Sequence, residues 1–126
     1  MTGRQVVVVE DNERNMKLFR EVLESSGYRT LEAETGERAV ALTAEHRPDL
    51  VLMDIHLPDI DGVEALRILR ADERTASVPV LALTAQAMEG DRERYLAAGF
   101  DGYLSKPVNI TDLLDAVRRY CDGGSR

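Results

Sequence analysis

A chain of 126 residues suffices for one domain, which at this size buries roughly two thirds of the surface its unfolded chain exposes and leaves no room for a second module. Its 44% hydrophobic and 31% charged residues exclude a disordered or fibrous chain, apolar runs such as Val6 to Val9 are far short of a membrane span, and no signal-like stretch follows Met1-Thr2-Gly3-Arg4, so a cytoplasmic protein is expected. With 23 acidic against 16 basic residues the net charge is -7, which repels phosphate backbones and anionic lipid, so direct binding to nucleic acid or membrane is not expected.

Val6 to Val9 reads as a first strand. Met16, Phe19, Val22 and Leu23 then recur at helical spacing, with Gly27 as the C-cap of a first helix. Thr30 to Ala33 is the second strand, and a second helix runs from about Glu37 to His46 through Ala39, Val40 and Leu42 until Pro48 ends it. Leu50 to Met53 is the third strand, followed after Gly62 by a third helix over Val63 to Leu69. Val80 to Leu83 is the fourth strand, and a fourth helix from about Met88 to Ala98 closes at Gly99. Gly102-Tyr103-Leu104 is a shorter fifth strand. The last helix begins at Asn109, with Asp112 three residues on as an imperfect capping box, continues through Leu113, Leu114 and Val117, and ends near Cys121. This single cysteine excludes an internal disulfide and a cysteine metal site. Residues 1–121 are expected to form the domain and 122–126 a flexible tail.

Strand followed by helix, five times over, points to an α/β fold with a mostly parallel sheet and helices on both faces. The first, third and fourth strands read as buried on both faces. The flavodoxin-like order 2-1-3-4-5 is the expected solution at this length.

The chemistry-bearing residues share one position in this pattern. Glu10-Asp11 follows the first strand, Asp54 ends the third, Thr84 ends the fourth and Lys106-Pro107 follows the fifth. In an open parallel sheet the carboxyl ends of the strands form the ligand-binding edge, above all at the switch point between the first and third strands. Three carboxylates with one lysine leave the edge short of cations. Two carboxylates about 4 Å apart repel by roughly 4 kcal/mol at an effective dielectric near 20, so either a pKa rises or a cation enters. A hard, oxygen-liganded ion such as magnesium suits this donor set, and the absence of a larger acidic cage argues against a dedicated calcium site. With such an ion and Lys106 neutralising the transferring oxygens, Asp54 can act as a nucleophile toward a phosphoryl group, and Thr84 can donate its hydroxyl to it. Taken singly, a strand-end Asp is usually a helix cap, an acidic pair solvated and a Lys-Pro a turn. It is their joint occurrence at the ends of four strands that points to a site.

Val7-Val8-Val9-Glu10-Asp11-Asn12, Leu52-Met53-Asp54-Ile55-His56-Leu57-Pro58, Leu83-Thr84-Ala85 and Tyr103-Leu104-Ser105-Lys106-Pro107 closely resemble the receiver domain of two-component response regulators over nearly the whole chain. The resemblance implies that Asp54 is the phosphoacceptor, that Asp11, Asp54 and the His56 carbonyl ligate magnesium, with Glu10 acting through water, and that manganese can substitute. It implies that Thr84, Ala85 and Lys106 bind the phosphoryl group, that Thr84 and Tyr103 form the switch, and that a cis peptide precedes Pro107. The implied donor is a sensor histidine kinase or a histidine phosphotransfer protein, and a downstream protein partner is met on the fourth helix, fifth strand and fifth helix. Such a domain is a signalling phosphoacceptor rather than an enzyme, limited to self-catalysed phosphotransfer and slow autodephosphorylation. Asn12-Glu13-Arg14-Asn15-Met16-Lys17 and Ala85-Gln86-Ala87-Met88 further resemble single-domain regulators of the cell-division type and receivers of hybrid kinases. One departure is His56, two residues past Asp54, at a position that varies in the family and faces attacking water, where the side chain bears on phosphoryl lifetime.

Two other classes share the fold: an interaction module that works without phosphorylation, and a phosphatase or flavodoxin-like enzyme. A flavin phosphate needs a Ser/Thr/Gly-rich loop where this chain has Glu10-Asp11. A haloacid-dehalogenase-type phosphatase needs a second Asp where His56 stands. Asp59-Ile60-Asp61-Gly62 superficially matches a calcium loop, but aligning its glycine puts Leu57 and Ile68 at ligand positions, so it reads as a turn into the third helix. His46 reads as a solvated residue near a helix end.

Overall fold

The computed structural model describes residues 4–85 and 91–121. The expected start of the fourth helix at about Met88, the Gln86-Ala87-Met88 portion of the subtype motif and the 122–126 tail lie outside the described residues.

The elements alternate without exception: β1 (Gln5–Val9), α1 (Glu13–Ser25), β2 (Arg29–Ala33), α2 (Gly36–His46), β3 (Leu50–Asp54), α3 (Gly62–Ala71), β4 (Val80–Thr84), α4 (Asp91–Ala98), β5 (Gly102–Ser105) and α5 (Ile110–Cys121). The five strands form one parallel sheet in the order β2-β1-β3-β4-β5, as expected from the flavodoxin-like pattern. β1 is buried over Val6–Val9, and β3 and β4 along their whole length, because helices cover both faces of the central strands.

Alternation within each strand sorts the core into two layers. Val7, Val9, Val51, Met53, Val80 and Ala82 face α2, α3 and α4, meeting Leu42, Leu66, Leu69 and Tyr95. Val6, Val8, Leu50, Leu52, Leu81 and Leu83 face α1 and α5, meeting Phe19, Leu23, Leu113 and Val117. Cys121 closes the second layer as a buried thiol.

Local chemistry fixes the helix ends that aim the strands at the site. Asn12, Thr35 and Asp61 cap α1, α2 and α3, accepting the N–H of Asn15, Arg38 and Glu64. Asn109 takes the N–H groups of Thr111 and Asp112 at the start of α5. Gly27 (φ 93°) and Gly99 (φ 116°) end α1 and α4 in paired bonds, Tyr28 N–H to Leu23 O and Phe100 N–H to Tyr95 O being the outer members. The α4 turn is closed by its own aromatic pair, the rings of Tyr95 and Phe100 meeting edge to face at 6.1 Å.

Candidate functional site

β1 and β3 are neighbours whose following helices lie on opposite faces, so a crevice opens beyond their carboxyl ends. Glu10 and Asp11 stand just past β1, and Asp54 is the last residue of β3. Ligand oxygens of all three lie within 4.8 Å of one another. The acidic pair divides: Glu10 is 1% exposed and Asp54 4%, whereas Asp11 faces solvent.

One cation serves the two buried carboxylates. Lys106, in the segment after β5, places its Nζ 2.8 Å from Glu10 Oε1 and 2.9 Å from Asp54 Oδ2. Glu10 Oε2 accepts the Asn12 N–H at 3.2 Å and the Asn15 amide at 3.4 Å. Glu10 Oε1 is buried and faces the Lys106 ammonium at 2.8 Å. Asp54 Oδ1 accepts the His56 N–H at 3.0 Å, which turns the chain sharply after the acceptor and leaves the His56 side chain exposed.

The electrostatics follow from this crowding. Burial pushes the Glu10 carboxyl above its ordinary range; Lys106 pulls against it, and the Asp54 charge adds to it. Burial also works against the charged form of Lys106, but its bonds to Glu10 and Asp54 outweigh it and raise the ammonium pKa. The donor set is all carboxylate oxygen, partly desolvated and short of positive charge, with three carboxylates against the one ammonium of Lys106. Such a set fits a hard divalent cation.

Thr84, fully buried at the end of β4, points into a different environment: its Oγ1 lies 3.4 Å from the hydroxyl of Tyr95 on α4, and either can donate. Tyr103 on β5 is half-buried, its ring tilted against Tyr95 at 6.5 Å. Ala85 lines a cleft of about 320 Å³ with Lys106, Pro107 and Val108, and the Lys106-Pro107 peptide is cis. The structure thus gathers Glu10, Asp11, Asp54 and Lys106 into one pocket and sets Thr84, Tyr103 and Tyr95 beside it as a separate hydroxyl-aromatic cluster.

Sequence reasoning missed two residues. Tyr95 lies within the expected fourth helix without being singled out; it is buried there and meets Thr84. Asp59 read as turn polarity; its carboxylate instead accepts the N–H groups of Gly36 and Glu37 at the start of α2. No local signal could have named that partner.

The chain is thus of the doubly wound, flavodoxin-like class of α/β domains, with an acidic, lysine-bridged pocket at its switch point, the edge where such sheets bind ligands. The chain matches the response regulator receiver domain over residues 6–118 and belongs to that family. It is 45% identical over 117 residues to the polar-differentiation response regulator DivK of Brucella anthropi, covering 93% of this chain and 95% of that protein; DivK of Brucella ovis gives the same figures. Among solved structures, the receiver domain of a Pseudomonas aeruginosa sensor histidine kinase, with a magnesium ion coordinated in its active-site cleft, superposes with a TM-score of 0.88 at 40% identity, covering 96% of this chain and 99% of that one. A co-crystal of the Saccharomyces cerevisiae phosphotransfer protein Ypd1 with the receiver domain of Ssk1 matches with a TM-score of 0.90 at 27% identity, covering 99% of this chain and 93% of that one. Among the described residues no helix is long and apolar enough to cross a membrane.

Proposed function

We propose that Asp54 accepts a phosphoryl group from a histidine kinase or histidine phosphotransfer protein, and that the chain signals through the protein contacts this alters. The observation that carries the reading is the convergence of three carboxylates within 4.8 Å, with Lys106 2.9 Å from Asp54. The magnesium in the Pseudomonas receiver and the Ypd1 partner of the Ssk1 receiver support it.

Magnesium, or manganese with the same preference for oxygen, would be held by the Asp11 and Asp54 carboxylates and the His56 carbonyl, with Glu10 acting through water; bound there, it supplies neutralisation of charge on the transferring oxygens. Asp54 supplies the nucleophile. Its carboxylate oxygen forms a bond to phosphorus while the P–N bond of the phosphohistidine donor breaks, and the electron pair leaves on the donor imidazole. Lys106 moves its charge from the free carboxylate to the new phosphoryl oxygens, and Thr84 and Ala85 receive the group from the β4 side. Thr84 and Tyr103 then carry the change outward. A cleft of about 770 Å³ beside β5 and α5, lined by Leu96, Tyr103, Leu104, Asp112, Ala116 and Tyr120, is the surface we assign to the responding partner. The chain acts by binding, in the cytoplasm, and its own chemistry is confined to gaining and slowly losing the phosphoryl group.

Incubation with magnesium and acetyl phosphate tests the reading. Intact mass should rise by one phosphoryl group in the wild type and stay unchanged in Asp54→Asn. An unmodified wild type, or equal modification of the variant, sinks it in favour of a phosphorylation-independent module.

A further inference from the structure

The loop joining β3 to α3, whose Leu57 and Ile60 pack against the core, is tied to the start of α2 by the Asp59 side chain. Asp59 Oδ1 accepts the Gly36 N–H at 2.8 Å and Oδ2 the Glu37 N–H at 2.9 Å, so both carboxylate oxygens are spent on the first turn of α2. The contact is close as well as polar: Gly36 is buried, and a Cβ there would stand 2.5 Å from Ile60 Cγ1. Within itself the loop is closed by the Gly62 N–H on Ile55 O at 2.8 Å and by Asp61 capping α3. His56 lies inside that closure, its N–H on Asp54 Oδ1. The partner segment is also tied to the pocket, because the Glu10 N–H donates to Ala33 O at 3.0 Å, two residues before Thr35 caps α2. Asp59 therefore joins the loop leaving Asp54 to the segment that supports Glu10.

We propose that Asp59 is a positioning residue for cation binding, its two-pronged bond to the N-terminus of α2 holding the 55–61 loop, and with it the His56 carbonyl, beside the three carboxylates. The inference rests on the magnesium site proposed above. A loop released from α2 samples conformations in which the pocket is incomplete, and apparent affinity falls by the fraction of time the complete form is populated. Thr35 offers a control within the same turn. Its hydroxyl accepts the Arg38 N–H at 3.1 Å, so it caps the same helix through a bond internal to the α2 segment.

The test is calorimetric titration of the whole chain with magnesium chloride alone, with Tm followed in parallel. Asp59→Ala should weaken magnesium binding about tenfold, the usual scale for residues that orient metal ligands. Asp59→Asn, which keeps one acceptor oxygen, should recover part of the loss. Thr35→Ala should lower Tm yet leave magnesium affinity as in the wild type. Wild-type affinity in Asp59→Ala, or an equal loss in Thr35→Ala, overturns the positioning role while leaving the site reading intact. If Asp11→Ala binds magnesium as the wild type does, the site itself is wrong and this inference falls with it.

Discussion

Lys106 Nζ lies 2.9 Å from Asp54 Oδ2, linking the segment after β5 to the end of β3 across the intervening strand. The same ammonium meets Glu10 at 2.8 Å, so one positive charge offsets two buried negative ones, and a divalent cation would compete for the same oxygens.

That competition predicts the behaviour of Lys106→Met. Removing one partner of a buried pair costs several kcal/mol when burial is complete; with the Lys106 side chain 18% exposed and Glu10 able to take up a proton, the loss should be about 2 kcal/mol. Millimolar magnesium should return much of it. The Tm gain on adding magnesium should exceed that of the wild type, and equal gains would count against competition between lysine and metal.

Asp11 is exposed but stands within 4.8 Å of two buried carboxylates, so without magnesium Asp11→Ala should leave the fold intact and, by relieving repulsion, should not lower Tm. Phosphorylation by acetyl phosphate at millimolar magnesium should nevertheless disappear from the intact mass. Normal modification with an unchanged Tm would remove Asp11 from the mechanism.

Gly62 opens α3 against the end of β3. A Cβ there would lie 2.6 Å from the Asp54 carbonyl oxygen and 2.9 Å from Ile55 Cα, backbone atoms that no rotamer change can move. Helix propensity alone would make Gly62→Ala stabilising by up to about 1 kcal/mol. Overpacking at the site should instead destabilise by about 2–3 kcal/mol. Thermal unfolding decides by the sign of the shift.

Asp72 ends α3, and its bonds to the Arg74 side chain, then to the Arg74 N–H, hold its carboxyl down at about 2, against an ordinary 3.8. Because the folded value lies below the unfolded one, the unfolded chain binds the proton more readily. The contribution of Asp72 to stability is thus present above about pH 4 and is lost as pH falls toward 2. Carboxyl NMR should place the Asp72 midpoint near 2 and show it rising in Arg74→Ala; an unmoved midpoint would refute the assignment.

Much of this architecture is legible residue by residue. Val6–Val9, Leu50–Met53 and Val80–Leu83 announce central strands, because a parallel strand covered on both faces has no polar side to show. Gly27, Gly99 and Asn109 mark helix ends through backbone preferences that belong to the residue itself. The structural boundaries differ from expectation by one or two residues, as where α3 runs from Gly62 to Ala71 rather than from Val63 to Leu69, since the final turns depend on what they pack against.

The sequence by itself determined the order of elements and which polar side chains stand at the carboxyl ends of the strands, since hydrophobic period, glycine and caps act over a few residues. Only the tertiary structure decided that Glu10 is buried while Asp11 is not, and that Lys106 bridges Glu10 and Asp54. It likewise decided that Thr84 meets Tyr95 and that Asp59 reaches back 23 residues to Gly36. Each of those pairings joins separate elements, and a partner chosen by packing leaves no trace in the spacing around either residue.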